Sequence, residues 1–275
     1  MLELPEAINI AQQVSQYLQG KQVSHVLPPT KAHKFCWFSC APEEYDTALS
    51  GSTIQYAEGF GIFVEVFFDN GKRLCFNDGV NVRLINQEEP NNYQLLIAFD
   101  DGTALVFTVA MYGSIILHDG DYDNEYYVKS KSAISPSSTQ FEHYYRRLLE
   151  NSKANLSAKA FLATEQRFPG IGNGVLQDIL LAAHIHPKRK IGTFSKGEQD
   201  KLLSSITSVL QRMIDEGGRD TEKDIFGRAG GYGTKLSKNA LASGCAQCGE
   251  SIKKENYLGG TIYFCPACQV LPEKL

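Results

Sequence analysis

Apolar residues recur at mostly helical spacing over residues 5–18, where Ala7, Ile8, Ile10, Ala11, Val14 and Leu18 form a stripe. The pattern predicts an amphipathic opening helix, with Glu3 and Glu6 at or before its first turn. From about residue 23 to 130 the period shortens. Residues 62–68, 95–99 and 105–109 read as strands, bounded by turn sequences that include Asp69-Asn70-Gly71 and Asp100-Asp101-Gly102. Short strands with hairpin punctuation predict a β-sandwich or barrel. The stretch from Ser130 to Thr139, containing Ser135-Pro136-Ser137-Ser138, reads as a hinge. Beyond it, 141–149, 156–168, 175–183 and 196–215 predict four helices, the last ended by Gly217-Gly218. Residues 219–244 read as loop-rich, and no internal repeat is visible.

Length adds a size for these pieces: 275 residues suit two domains with a small appendage. No apolar run approaches the 18 or so residues of a membrane span, and the first twenty residues carry Glu3 and Glu6 without a basic segment. These features predict a cytoplasmic protein with no membrane partner. Charge separates the halves. Residues 1–130 hold 7 Lys+Arg and 17 Asp+Glu, a net of −10, so the remaining 20 and 14 leave 131–275 at +6. A basic half is the footprint expected of a phosphate-binding surface; an acidic half has to turn its carboxylates away from one.

Seven cysteines are an odd number, and four of them pair as Cys245-x2-Cys248 and Cys265-x2-Cys268, sixteen residues apart. Two such pairs bring four thiolates within reach of one tetrahedral ion, and a segment of about thirty residues without its own core needs that clamp. We expect one structural zinc ion there. Cys36, Cys40 and Cys75 read as buried or incidental thiols. Between two helical runs, Lys159-Ala160-Phe161-Leu162 leads to Gly170-Ile171-Gly172-Asn173. Glycines at such a junction let the backbone approach a phosphate, and an Asn at the helix start can cap the helix while donating to that phosphate. His186-Pro187 reads as a helix end rather than a metal site, as does His184.

The opening Met1-Leu2-Glu3-Leu4-Pro5-Glu6, the Gly170-Ile171-Gly172-Asn173 junction followed by Leu180-Leu181-Ala182-Ala183, and the closing cysteines stand in an order that resembles the formamidopyrimidine-DNA glycosylase/endonuclease VIII (Fpg/Nei) family. The resemblance is clear at 1–6 and over about 141–270, and only architectural over 23–130. It implies an α+β, multi-domain fold. An N-terminal helix and β-sandwich would occupy 1–130, a hinge 131–139, a helix–two-turn–helix DNA-binding domain 140–240 and a zinc finger 241–275, with DNA held between the domains. The partner implied is DNA containing a lesion, an abasic site or an unusual structure, which would place the protein on the nucleoid when bound.

In the family the residue after the initiator Met is usually a proline whose amine attacks the sugar; here it is Leu2. The amine of Met1, or of Leu2 if Met1 is removed, would have to replace it, and a displacement of one residue spoils near-attack geometry. By resemblance Glu3 would protonate or polarise the deoxyribose and Glu6 would hold the terminus and sugar, although both could instead serve the helix dipole. Lys159, Gly172 and Asn173 would contact phosphate. Met111 and Tyr112 would stand where the family has its wedge, or else be sheet residues. The arginine five residues before the third cysteine is replaced by Gly260, and residues 58–63 lack the family's hairpin lysine. Two functions follow: recognition of damaged, abasic or non-canonical DNA with glycosylase and AP-lyase chemistry lost or much reduced, or an active base-excision glycosylase/AP lyase working through the terminal amine.

Overall fold

A computed structural model describes residues 2–86 and 90–272; Met1, a candidate nucleophile, lies outside the described residues. The fold is α+β and divides into two compact units. The first comprises Met1–Lys131 with Gly217–Gly230, and the second Ser132–Glu216 with Gly231–Leu275. Among the described residues, no helix is long and apolar enough to cross a membrane.

In the first unit, α1 (Leu4–Leu18) carries Pro5 in its first turn, where the fixed φ of proline suits a helix. Its apolar stripe Ala7, Ile10, Ala11, Val14 and Leu18 is fully buried. Two sheets complete the unit. One has the order β1-β7-β8-β6, from β1 (Val23–Leu27), β6 (Val80–Ile85), β7 (Leu95–Phe99) and β8 (Ala104–Val109). The other runs β2-β9-β5-β4-β3, from β2 (Cys36–Phe38), β3 (Ile54–Phe60), β4 (Phe63–Phe68), β5 (Arg73–Asn77) and β9 (Gly113–His118). All neighbours are antiparallel except β2 and β9. Phe76 of β5 meets Phe107 of β8 edge-to-face at 5.3 Å within a core that also holds Val64, Val66, Leu74, Leu95 and Leu105. The expected turns carry Gly71 and Gly102 at φ 85° and 81°, the left-handed conformation that glycine adopts without a Cβ penalty.

Two short helices escape the hydrophobic pattern: α2 (Glu44–Leu49) and α3 (Glu125–Lys131). A fully buried carboxylate fastens α3 to the sheet. Glu65 of β4 accepts hydrogen bonds from His118 Nε2 at 3.0 Å, from Tyr127 Oη and from Lys131 Nζ. Burial pushes this carboxyl upward, but the bonds from His118, Lys131 and Tyr127 outweigh it and hold it at about 2.

The second unit contains α4 (Phe141–Asn151), α5 (Ala158–Ala163), α6 (Val175–Ala182), α7 (Lys196–Asp215) and the hairpin β10 (Lys253–Tyr257) with β11 (Gly260–Phe264). Rings of Phe141, Tyr145, Phe161 and Phe168 pack with centroids 5.3–6.3 Å apart. The capping box of Ser195 and Glu198 sets the start of α7 where the sequence places it. The helix expected over 156–168 is shorter. Ser157 caps α5, and the chain leaves helical geometry after Ala163, with Glu165 and Gln166 at φ 56° and 49°. Residues 217–230 also depart from expectation, since they pack in the first unit rather than with the helical stretch 140–240. Gly217 and Gly218, at φ 78° and 96°, turn the chain out of α7, and Arg219 binds within the first unit.

Candidate functional site

At the start of α1, Glu3 and Glu6 form a capping box, with the Glu3 N–H donating to Glu6 Oε2 at 3.2 Å. Both carboxylates are buried, and between them lies a cation that the sequence pattern did not single out. Arg219 donates from Nε to Glu6 Oε1 at 2.9 Å and from Nη2 to Glu6 Oε2 at 2.7 Å, a fork-to-fork pair. Its backbone N–H adds a third bond to Glu6 Oε1 at 3.2 Å, and its Nη1 stands 3.6 Å from Glu3 Oε1. The Arg219 side chain is only 4% exposed. Burial works against the guanidinium's charge, but Glu3 and Glu6, joined by Glu222, outweigh it and hold the group protonated. A close Gly-Gly pair before Arg219 was the available signal. Its main partner Glu6, 213 residues away, was not.

Leu2 is buried, and its N–H donates to the Asp78 carbonyl at 2.8 Å. Met111 and Tyr112 lie in the turn between β8 and β9 and are 60% and 43% exposed, so neither is a sheet residue. Met111 projects without a described ring partner, whereas Tyr112 Oη donates to Asp78 Oδ2 at 3.2 Å.

In the second unit the junction and the hairpin meet. Asn173 Nδ2 donates to the Thr261 carbonyl at 2.7 Å, and Gln177 Nε2 donates to the same oxygen at 3.0 Å. The capping role expected of Asn173 falls away, because Gly174 is the N-cap of α6 and the Asn173 amide is turned to β11. Asn173 Oδ1 is buried without a hydrogen-bond partner. Lys159 is buried rather than displayed on a surface: its Nζ donates to the Tyr257 carbonyl at 2.6 Å, and burial lowers its pKa. Gly260 closes this contact. A Cβ there would stand 3.3 Å from Lys159 Nζ and 3.5 Å from Asn173. Gly172 accepts the Leu176 N–H at 3.3 Å, starting α6. Lys253 and Lys254 are exposed on β10.

The sulfurs of Cys245, Cys248, Cys265 and Cys268 all lie within 4.8 Å of one another. Three of their separations are 3.4, 3.5 and 3.8 Å. A tetrahedron with metal–sulfur bonds of about 2.3 Å has edges of about 3.8 Å, whereas a disulfide needs about 2.05 Å. The four thiols therefore suit one metal ion. Cys36 is half-buried, Cys40 exposed and Cys75 buried, and none of them joins this cluster.

No family model matches the chain. Curated relatives match it along almost its whole length: formamidopyrimidine-DNA glycosylase of Wolbachia pipientis subsp. Culex pipiens is 27% identical, over 98% of this chain and 100% of the relative. That of Lactococcus lactis subsp. cremoris is 25% identical over 98% and 99%. Among solved structures, Lactococcus lactis Fpg in complex with abasic-site DNA superposes with a TM-score of 0.80 at 21% identity, covering 97% of this chain and 99% of that one. The same protein bound to FAPY-dG-containing DNA gives 0.81 at 22%, over 98% and 100%. Whole-length sequence similarity, a shared fold and a closing four-cysteine cluster agree in making the chain similar to formamidopyrimidine-DNA glycosylases from end to end.

Proposed function

We propose that this protein recognises damaged, abasic or otherwise non-canonical DNA and that its glycosylase/AP-lyase chemistry is lost or much reduced. The single observation that carries the second half is the buried cluster of Glu3, Glu6 and Arg219. A carboxylate that serves a sugar has to leave its resting partners for the substrate. Here that movement strips a buried guanidinium of its counter-charges, which costs about 3–5 kcal/mol when one partner of such a pair is removed. Leu2 adds to this reading, because its N–H is bound to Asp78 and its side chain is buried.

DNA binding is supported by the family, whose solved relatives are complexes with abasic or lesion-containing DNA, and by the net charge of +6 over 131–275. Within the second unit, Lys159, Gly172 and Asn173 frame the tip of a hairpin that also carries exposed Lys253 and Lys254. We assign Gly172 and Asn173 to phosphate contact and Lys159 to holding the hairpin that makes it. The cysteine cluster holds one structural zinc ion in this reading, since thiolate tetrahedra select zinc among common divalent ions.

Borohydride trapping of the untagged native protein on abasic duplexes, run beside a gel shift, tests the proposal. A shifted complex with no covalent adduct is expected. An adduct that disappears in Glu3→Gln would overturn the loss of chemistry and establish an active glycosylase/AP lyase acting through the amine of Met1 or Leu2.

A further inference from the structure

The hairpin of the second unit turns on two residues, since Tyr257 of β10 pairs with Gly260 of β11 and Leu258 and Gly259 lie between them. Both have positive φ, 48° and 71°. A two-residue turn of this kind calls for Asn-Gly, Asp-Gly or Gly-Gly: glycine has no Cβ to clash, and a short Asn or Asp side chain tolerates the left-handed region. Leu258 has neither advantage. Burial does not offset its strain, because the side chain is 54% exposed at the tip. A strained residue of this sort persists where its surroundings over-determine the backbone, and it marks a place where something other than stability is served.

The surroundings of this turn are firm. On one side of it the Tyr257 carbonyl accepts from Lys159 Nζ at 2.6 Å; on the other the Thr261 carbonyl accepts from Asn173 Nδ2 at 2.7 Å and Gln177 Nε2 at 3.0 Å. Gln177 Oε1 also takes the Tyr263 N–H at 3.1 Å. The tip is thereby seated on α5 and α6, and Leu258 stands on a fixed base rather than on a swinging loop. Charge then selects an occupant. Residues 256–261 line a hollow of about 540 Å³ at the tip and include no charged side chain. Lys253 and Lys254 are exposed on the strand that leads there, and Glu255 after them is paired with Lys188. The Lys188 ammonium also stands 5.5 Å from the centre of the Tyr257 ring.

A cationic stem under an uncharged, apolar point suits a polyanion with an apolar interior, and duplex DNA has phosphates outside and stacked bases within. A leucine carries no hydrogen-bonding group, so it reads no base edge. What it can do is enter a step and part the stack, at a cost that is least where pairing is already lost. We propose that Leu258 is a wedge that enters the base stack and makes this protein select DNA by looseness of stacking rather than by the chemistry of a damaged base. The inference rests on the DNA-binding reading above and deepens it with a residue and a rule of selection.

The probes are chemically undamaged duplexes with 2-aminopurine beside either a fully paired step or one thymine–thymine mismatch, followed by 2-aminopurine emission and by anisotropy of an end label. The native protein is expected to raise emission from the mismatched duplex and to bind it about tenfold more tightly than the paired one, a factor within what burying one leucine side chain supplies. Leu258→Asn is expected to bring the two affinities together and leave emission flat, while its affinity for paired DNA holds. Its melting midpoint should stay level or rise, because Asn suits the left-handed turn. Leu258→Met, apolar and of similar length, is expected to keep the preference. A Leu258→Asn protein that still discriminates overturns the wedge and leaves the DNA reading standing. One that melts markedly earlier assigns the leucine to folding and overturns the wedge equally. Native protein that binds an abasic duplex without preferring the mismatch keeps the DNA reading and overturns selection by stacking. Native protein that binds none of these duplexes overturns both.

Discussion

Arg219 offers the sharpest test of the structural argument, because the two carboxylates of α1 that flank it, Glu3 and Glu6, are both buried. Arg219→Ala takes from Glu6 its two-pronged donor and from Glu3 the guanidinium 3.6 Å away, where both carboxylates are buried. Breaking such a buried pair costs about 3–5 kcal/mol. For a unit of about 150 residues, each kcal/mol moves the melting midpoint by about 2–4 °C, so a fall of about 10 °C is expected. The double variant Glu6→Gln with Arg219→Met removes both charges together, and replacing a buried pair by neutral groups is often close to neutral. Urea unfolding of the native protein and of Glu6→Gln, Arg219→Met and the double variant forms a thermodynamic cycle. A coupling of about 2 kcal/mol or more is expected. A loss below about 1 kcal/mol for Arg219→Ala, or additive single variants, would refute the claim that Glu3 and Glu6 are bound up in structure.

Three further outcomes follow from named contacts. Glu65, held near 2 in the fold against the ordinary 4.5, contributes about 3 kcal/mol above pH 4.5; this is lost as pH falls from 4.5 towards 2, because the unfolded carboxyl protonates first. Urea midpoints at pH 7 and pH 3 should therefore diverge, and by less in Glu65→Gln; equal slopes would sink the assignment. Removing the metal with a chelator, or changing Cys268→Ser, should unfold the β10–β11 hairpin and abolish DNA binding, with elemental analysis giving one zinc per chain; a metal-free protein with an intact hairpin would contradict this. Gly260→Arg places a second cation beside Lys159 and should weaken the hairpin seat, yet raise the salt slope of DNA binding by about 1; an unchanged slope would mean that position 260 does not face phosphate.

Local physics was legible where partners are close in sequence. The capping box of α7, the stripe of α1, the glycine turns at 71 and 102 and the paired cysteines all depend on residues within a few positions, and their patterns survive into the fold. What escaped depends on distant partners. β2 is three residues long and pairs in parallel with a strand almost eighty residues later, so no hairpin signal marks it. Phe168 stands seven positions after Phe161, at helical spacing, but Thr164 and the left-handed Glu165 and Gln166 break the helix between them. Asn173 reads as a cap because caps are local; its actual partner is Thr261, across 88 positions. Lys159 reads as a phosphate ligand because lysines are seldom buried, and only the Tyr257 carbonyl explains why this one is.

The same distinction governs how far the first six residues speak for an activity. Glu3 and Glu6 match an opening whose family uses acidic groups at a sugar, and taken alone that match favours catalysis. In the fold each has a second employment. Glu6 satisfies the Glu3 N–H, the Arg219 N–H and both arms of the guanidinium, while Glu3 completes the capping box and adds its charge beside Arg219. A chain with no glycosylase activity at all would still need both carboxylates, since losing either leaves a buried arginine undercompensated. The match of residue types at the opening thus does not by itself favour catalysis, their engagement with Arg219 counts against it, and the direct test lies at the terminal amine. That is why trapping chemistry at the terminus, rather than substitution of Glu3 or Glu6 alone, separates an enzyme from a reader of DNA: a Glu3→Gln variant that loses activity and stability together says nothing about the reaction, whereas an imine reduced onto the native chain could form only if an amine reaches C1′.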